Sequence, residues 1–397
     1  MKSLKNIKKL SGKTVLLRVD FNVPIKNKKV LDNTKIKASL ETINFLLKAK
    51  AKVLLITHVG RPEGKVVSSL KVDPILEELQ KLLKKKVKKI ETRNLIFNKK
   101  RLAEIENEIK KMRAGSAVMF DNIRFSKEED KENGSLTEIL ASWGDLFVLD
   151  GFSVAHRQAA SVTGITKFLP SYAGFLLEKE IKGLNRISKN FKLPYVAILG
   201  GVKMETKIPV INSLLGKTDF ILIGGGILNT YLKALKYNIG DSICDEEYKK
   251  EIARICQNKK IILPIDVVVA DKNFNNYRTV KIDKKKKNIC KTGEKIFDIG
   301  PETILLFSKY IRKANTLVWN GAMGFFEKKP FDNGTKSVAR LVSDRSKGKA
   351  FGVVGGGETV QIVNELKIEN NIDLVSTGGG AMLEYIAKET LPGIENL

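Results

Sequence analysis

The sequence predicts an α/β protein made of two doubly wound parallel sheets, Rossmann-like in form and joined by a hinge helix. Three observations support this. Short, almost wholly apolar runs recur along the chain, as strands buried on both faces require. Stretches with helical spacing separate them. The length, 397 residues, suits two domains better than one. In the first half the runs are TVLLRVDFNV (14–23), KVLLITHV (52–59), AVMFDNIRF (117–125) and DLFVLDGF (145–152). In the second half they are YVAILGGV (195–202), FILIGGG (220–226), IILPIDVVVA (261–270), TLVWNGAMG (316–324), FGVVGGG (351–357) and LVSTGGG (374–380).

The intervening helices follow from spacing. In NTKIKASLETINFLLKAK (33–50), Ile36, Leu40, Ile43 and Leu47 share one face, and Asn33 or Thr34 is placed to cap the start. GFLLEKEIKGLNRISKN (174–190) is amphipathic and lies between Pro170 and Pro194; it is the expected spacer, within a linker at 173–192. That places one domain at 1–172 and the other at 193–377. The alternating segment 277–301 predicts a surface hairpin.

Composition narrows the class of function. Hydrophobic residues at 43% and charged residues at 29% describe a folded, soluble chain. The nearest approach to a membrane span, FILIGGGIL (220–228), is short and carries three glycines. The basic N-terminus loses its apolar stretch at Arg18 and Asp20, too early for a secretory leader. Cys244, Cys256 and Cys290 form no CxxC and have no nearby histidine, which disfavours a disulfide framework and a zinc site. A cytoplasmic protein without membrane association is expected. The net charge of +27 raises nucleic acid as a partner. Yet thirteen of the 71 basic residues are Arg, the lysines are spread along the chain, and the dense runs KKKVKK (84–89) and KIDKKKKN (281–288) contain no aromatics for base stacking. A solvated lysine surface, attractive to anions in general, is the simpler expectation.

Ligands of open α/β sheets sit at the carboxyl ends of the strands, and the two halves differ there. First-half ends carry Asp20, Asn22, His58, Arg61, Arg124, His156 and Arg157, including both histidines of the chain. Arg is the residue for bidentate carboxylate or phosphate recognition, so these ends predict a pocket for a small, doubly anionic ligand. Arg18 lies inside its strand, where pairing with a carboxylate would explain it. Second-half ends carry Gly200-Gly201, Gly224-Gly225-Gly226, Gly321, Gly355-Gly356-Gly357 and Gly378-Gly379-Gly380. Glycine lets backbone amides approach phosphate at a helix start, so this half predicts a nucleotide site. The two GKT strings, at 12–14 and 216–218, lack the first glycine of a Walker A loop, and no triplet completes GxGxxG. No Ser or Cys stands in a triad pattern with the two histidines. Phosphoryl transfer by positioning and charge stabilisation fits what remains.

At this level the chain resembles the phosphoglycerate kinase family. RVDFNVP (18–24), THVGRP (57–62), DNIRF (121–125), AHR (155–157), ILGGVKMETKI (198–208), GGGILNTYL (224–232), LPIDVVVAD (263–271), DIGPET (298–303), WNGAMGFFE (319–327), GGGETV (355–360) and STGGGAMLE (376–384) are similar to that family's motifs in order and spacing. The resemblance implies reversible phosphoryl transfer between 1,3-bisphosphoglycerate with MgADP and 3-phosphoglycerate with MgATP. It implies that Asp20 and Asn22 bind the glycerate side, and that His58, Arg61, Arg124 and Arg157 hold phosphate and carboxylate. Lys203 and Lys207 reach the nucleotide phosphates, and Lys35, Lys207 and Arg157 stabilise the transferring group. Gly200, Gly201, Gly224 and Gly225 floor the adenine pocket; Gly300 and Asn320 belong to the nucleotide site; Glu327 takes the ribose. Gly356, Gly357 and Thr359 lie at the phosphates, with Mg²⁺ on Glu358. It further implies a monomer that closes by hinge bending, with 378–397 returning to the first domain. The chain departs from the pattern in four places. Lys35 replaces an Arg, Glu358 replaces the Asp of GGGDT, Ala322 replaces a Pro, and LDGFSVAHRQAA stands for NDAFGxAHRxH, with Ala159 in place of His. Lys35 and Glu358 keep open an alternative, a catalytically weakened nucleotide-binding protein of the same fold.

Overall fold

The computed structural model describes residues 1–92 and 98–397. The chain divides into two compact units, Met1–Ile181 with Thr390–Leu397, and Lys182–Glu389.

The first unit is built on a six-stranded, wholly parallel sheet. Its members are β1 (Thr14–Arg18), β4 (Lys52–Ile56), β5 (Lys88–Ile90), β6 (Ala117–Phe120), β7 (Leu146–Leu149) and β8 (Ser171–Ala173), in the order β5-β6-β4-β1-β7-β8. A small separate ribbon pairs β2 (Ile25–Lys26) with β3 (Lys29–Val30). The four apolar runs of the first half supply the four inner strands. Both edges are short, and neither stands out in the sequence. β5 lies partly within a lysine run, where Val87 and Ile90 are buried beside exposed Lys88, so that run is not simply solvated surface.

Helices α1 (Thr34–Ala38), α2 (Leu40–Lys48), α3 (Asp73–Leu83), α4 (Lys99–Lys110) and α5 (Ser135–Ser142) cover this unit. The single helix expected over 33–50 is two, broken at Ser39, and neither Asn33 nor Thr34 caps it with a side chain. Asp32 Oδ1 accepts from Thr34 N at 2.9 Å instead. Ile43, Leu46 and Leu47 of α2 pack with Val53 and Leu55 of β4 in one core; each such side chain contributes roughly 1.5–3 kcal/mol.

The boundary between the units falls within α6 (Phe175–Ser188), the helix expected as the spacer. The second unit repeats the theme: β9 (Tyr195–Leu199), β10 (Phe220–Ile223), β11 (Ile261–Ile262), β15 (Thr316–Asn320), β16 (Phe351–Gly355) and β17 (Leu374–Val375) form a parallel sheet in the order β11-β10-β9-β15-β16-β17. The run 261–270 is not one strand. It breaks after Ile262, and β12 (Asp266–Asp271) is the centre of a separate antiparallel sheet flanked by β13 (Arg278–Lys281) and β14 (Glu294–Ile299). The expected hairpin is therefore the two outer strands of a three-stranded sheet, which pair with β12 and not with each other.

Helices α7 (Met204–Leu215), α8 (Gly225–Ala234), α9 (Lys249–Ile255), α10 (Pro301–Ile311), α11 (Asn333–Ser346), α12 (Gly357–Glu365) and α13 (Gly379–Lys388) complete the second unit. α13 packs on α7, and Tyr385 Oη donates to Asn185 Oδ1 at 2.9 Å. The segment that returns to the first unit is thus Thr390–Leu397, with α14 (Pro392–Glu395), shorter than the 378–397 expected. Gly393 N donates to Ala155 O there at 2.8 Å. No helix among the described residues is long and apolar enough to cross a membrane.

Asp150, just after β7, fixes the start of α6. Its carboxylate accepts from Leu176 N at 3.0 Å and from Thr42 Oγ1 at 2.9 Å. Burial pushes this carboxyl up to about 7, against the hydrogen bonds that favour the anion. A folded pKa above the unfolded one means that the contribution is full below the ordinary carboxylate range and is lost as pH rises through about 7. Urea denaturation should therefore show parent stability declining between about pH 4 and pH 7 relative to Asp150→Asn, which keeps an acceptor and cannot ionise. Parallel pH profiles for the two proteins would refute this.

Candidate active site

In the first unit, the ends of β1, β4 and β7 and the start of α1 surround a cavity of about 260 Å³. Asp20, Asn22, Lys35, His58, Arg61, Arg124 and Arg157 all line it, so the structure brings together the residues expected there apart from His156. Gly60, Ser153 and Val154 line it as well and were not foreseen; His156 does not line it.

Asp20 is the centre. Its Oδ1 accepts from Asn22 N at 2.9 Å, and its Oδ2 takes both Lys35 Nζ at 2.6 Å and the Ser153 hydroxyl. Burial pushes the carboxyl up, but the Lys35 ammonium, with the hydrogen bonds from Lys35 and Ser153, more than reverses that and holds it below the usual carboxylate range. Asn22 Oδ1 accepts from Gly60 N at 3.0 Å, and Arg124 Nη1 donates to Gly60 O at 2.8 Å, so the 60–61 turn is held from both sides.

Behind the pocket lies a buried polar chain. Arg18, 1% exposed, donates from Nε to Ser161 Oγ at 2.8 Å and from Nη1 to Val19 O at 2.6 Å. Its Nη2 is 3.8 Å from Glu129 Oε1 and 3.3 Å from His58 Nδ1. The carboxylate expected for Arg18 is Glu129. A guanidinium at Nδ1 leaves that nitrogen as the acceptor, so the proton of His58 sits on Nε2. Burial first, then Arg18, Arg124 and Lys35, hold the imidazole pKa well below its ordinary value, so the ring is a neutral donor.

In the second unit a cavity of about 420 Å³ opens between the glycine loops and the small antiparallel sheet. Gly201, Gly225, Glu327 and Glu358 line it. Gly200 and Gly224 stand behind the lining: a Cβ on Gly200 would lie 2.1 Å from Ala322 O, and one on Gly224 would lie 2.7 Å from Met323 Sδ. The opposite wall was not legible as a site. Phe274, Phe297 and Phe325 form it, with Phe274 and Phe325 stacked at 5.6 Å, and Lys272 and Lys295 also line the cavity. Lys295 and Phe297 lie in the segment read as a surface hairpin and Lys272 and Phe274 just before it, whereas Phe325 follows β15, so no single stretch of sequence marked the wall.

Beside this cavity, β15, α7 and α12 form a polar nest. Lys207 Nζ donates to Asn320 Oδ1, Asn320 Nδ2 donates to Gly355 O at 2.9 Å, and Thr359 Oγ1 accepts from Gly321 N at 2.8 Å. Burial brings the Lys207 ammonium down to about 8, opposed by Glu358. Gly356 begins α12 at φ 101°, a conformation that L side chains rarely adopt, and nothing lies within 4 Å of where a Cβ of Gly357 would be. The nest therefore presents an open helix start beside one lysine. Two expected residues are elsewhere. Lys203 is exposed and lines neither site, and Gly300 is buried with its Cα facing the Asp266 carboxylate, at the start of α10.

Glu358 is exposed in the first turn of α12, its Oε2 3.4 Å from Ala322 N. No group of three or more metal-ligating side chains occurs among the described residues. A divalent cation here would take one carboxylate and complete its shell from ligand oxygens and water, a habit that suits Mg²⁺.

One unit thus holds a pocket lined by arginines, a lysine and a histidine, the other an aromatic-walled, glycine-floored cavity. The family model described as phosphoglycerate kinase matches residues 4–389. The chain belongs to the phosphoglycerate kinase family. The phosphoglycerate kinase of Herpetosiphon aurantiacus is 40% identical over 396 residues, covering 98% of this chain and 96% of that protein. That of Borreliella afzelii is 40% identical over 403 residues, covering 100% and 99%. Among solved structures, phosphoglycerate kinase from Coxiella burnetii matches with a TM-score of 0.83 at 34% identity, covering 99% of this chain and 98% of that one. The Pyrococcus horikoshii phosphoglycerate kinase matches at 0.85 and 32%, covering 100% and 98%. The two-sheet fold is thus that of the family.

The glycine geometry has a direct consequence. Gly200→Ala should lower stability by about 1–3 kcal/mol, because the backbone of Ala322 cannot yield as a side chain can. Gly357→Ala should stay within about 0.5 kcal/mol of the parent. Thermal denaturation of the two variants checks the contrast.

Proposed function

We propose that this chain catalyses reversible phosphoryl transfer between 1,3-bisphosphoglycerate with ADP and 3-phosphoglycerate with ATP. The observation that carries the reading is the first unit's pocket, where three arginines, one lysine and a neutral histidine converge around a single carboxylate. A ligand with a carboxylate at one end and a phosphate at the other suits that set. Arg61, Arg124 and Arg157 supply forked donors for the anionic ends, Asn22 and Asp20 address the hydroxyl, and His58 donates from Nε2 without adding charge.

In the second unit the aromatic wall and the glycine floor take the base of the nucleotide, and Glu327 addresses the ribose. The amides at the start of α12, with Lys207, hold the phosphates. Glu358 is the protein ligand for Mg²⁺, which when bound would draw negative charge away from the phosphates. Lys203, exposed outside the cavity, is left without a part in this reading. Lys35 acts on the transferring phosphoryl from the edge of the anion pocket. Catalysis is by positioning and charge neutralisation.

A coupled assay of ATP formation from 1,3-bisphosphoglycerate, MgADP and purified protein tests the reading. Turnover is expected. Tight nucleotide binding without turnover would favour the weakened, binding-only alternative that Lys35 and Glu358 motivate.

Two variants probe the departures from the family pattern. Lys35→Ala should lower kcat by roughly a hundredfold, the usual effect of losing one electrostatic contact to a transition state, with little change in KM. Lys35→Arg should keep or raise kcat. An alanine variant within twofold of the parent would assign the step to another cation. Glu358→Gln should raise the Mg²⁺ concentration needed for half-maximal rate; an unchanged metal dependence would show that Glu358 is not the ligand.

A further inference from the structure

Lys35 and Ser153 share one oxygen. Lys35 Nζ lies 2.6 Å from Asp20 Oδ2, and the hydroxyl of Ser153 donates to that same atom. Asp20 is 6% exposed, and its other oxygen is occupied by Asn22 N. An ammonium that neutralises a phosphoryl group in transfer cannot also remain fully engaged with this carboxylate. Its departure would leave a nearly buried anion without its cation, which is costly unless another donor remains in place. Ser153 is that donor. It sits in a short 3-10 turn, Phe152–Val154, directly after β7, and Gly151 in front of it lies so close to β1 that a Cβ there would be 3.1 Å from Asp20 N. The fold thus presses the hydroxyl against the carboxylate. In the family pattern quoted above, this position is glycine, which has no hydroxyl to offer.

We propose that Ser153 is a positioning residue for the reaction: its hydroxyl holds Asp20 and so frees Lys35 to engage the transferring phosphoryl. The inference rests on the proposed activity. With Ser153 removed, Asp20 Oδ2 binds the ammonium alone and holds it more firmly, so each turnover must break a stronger ion pair. The step lost is the release of Lys35, not the binding of substrate.

Ser153→Ala should lower kcat about tenfold, the ordinary worth of a hydrogen bond to a charged group, while KM for 3-phosphoglycerate stays within about twofold. Ser153→Thr, which restores a hydroxyl, should recover most of the rate. In a Lys35→Ala background, Ser153→Ala should cause no further loss, because the residue acts through Lys35. A kcat within twofold of the parent would overturn the proposal. So would a full additional loss in the Lys35→Ala background, which would mark a merely structural role, or a rise in KM alone, which would make Ser153 a substrate contact. Reductive methylation of Lys35, followed by mass spectrometry in the ligand-free protein, reads the same interaction without turnover. It should be several-fold slower in Ser153→Ala, and an equal rate would also overturn the proposal. An inactive parent with slowed methylation in the variant would instead fault the assigned activity and leave the Ser153–Asp20–Lys35 contact standing.

Discussion

Two buried carboxylates, Asp20 and Glu129, make the first unit's pocket possible. Arg18, Lys35, Arg124 and Arg157 crowd into a small volume, and like charges at such range repel strongly where water is scarce. Glu129, 3% exposed, sits beneath the cluster and engages Arg18 directly and Ser161 through both Oγ and N. Asp20 sits at its face and engages Lys35. Each carboxylate offsets part of the repulsion without filling the cavity. Arg18, within the central strand, reaches Glu129, Ser161 and His58 with one guanidinium. The tautomer of His58, and with it the direction of its remaining N–H, is a product of the same arrangement.

The second unit solves a different problem. Its cavity and the polar nest beside it draw on different parts of the fold. Phe274 and Phe297 of the aromatic wall come from the antiparallel sheet and its connecting turn, while Phe325, the floor and the polar nest come from the parallel sheet's loops and helix starts. Gly200, Gly224 and Gly225 are required by the neighbouring backbone of Ala322 and the side chain of Met323. Gly357 is not constrained in this way, and its open side faces away from any packed atom. Identical residues in similar triplets therefore carry different loads: some let the chain close on itself, and others, such as Gly357, leave room beyond them.

The parts of the molecule legible in the sequence were those where one physical requirement dominates a contiguous stretch. The inner strands of both parallel sheets are buried on both faces and read as unbroken apolar runs. The clustering of Arg61, Arg124 and Arg157 was legible because arginines are scarce in this chain and these three stand at strand ends. The first sheet's edge strands escaped notice because β5 and β8 are three residues long, and β5 is two lysines before a single buried Ile90. The run 261–270 was misread because Pro264 separates two strands that belong to different sheets. Gly300 matches a motif, yet its place is set by packing on Asp266. Lys203 and Lys207 share a helical stretch, but only Lys207 is turned inward. Ser153 stood out only as a departure from a glycine, and nothing tied it to Asp20, which is distant in sequence and joined to it only where the chain after β7 meets the chain after β1.

The lysine-rich surface acts on arrival times as well as on equilibrium. Fixed charges summing to +27 create an attractive field around the whole molecule, reaching about 8–10 Å from the surface at physiological ionic strength. A small polyanion drifting into that shell is retained near the protein and can explore its surface before escaping. Encounter is then a search over a charged envelope, faster than free diffusion to an isolated patch and slowed by added salt. The same envelope detains anions that do not belong in either pocket. Forked arginines at the centre and diffuse lysines outside divide the work: the envelope gathers traffic without regard to shape, and the pocket selects from it.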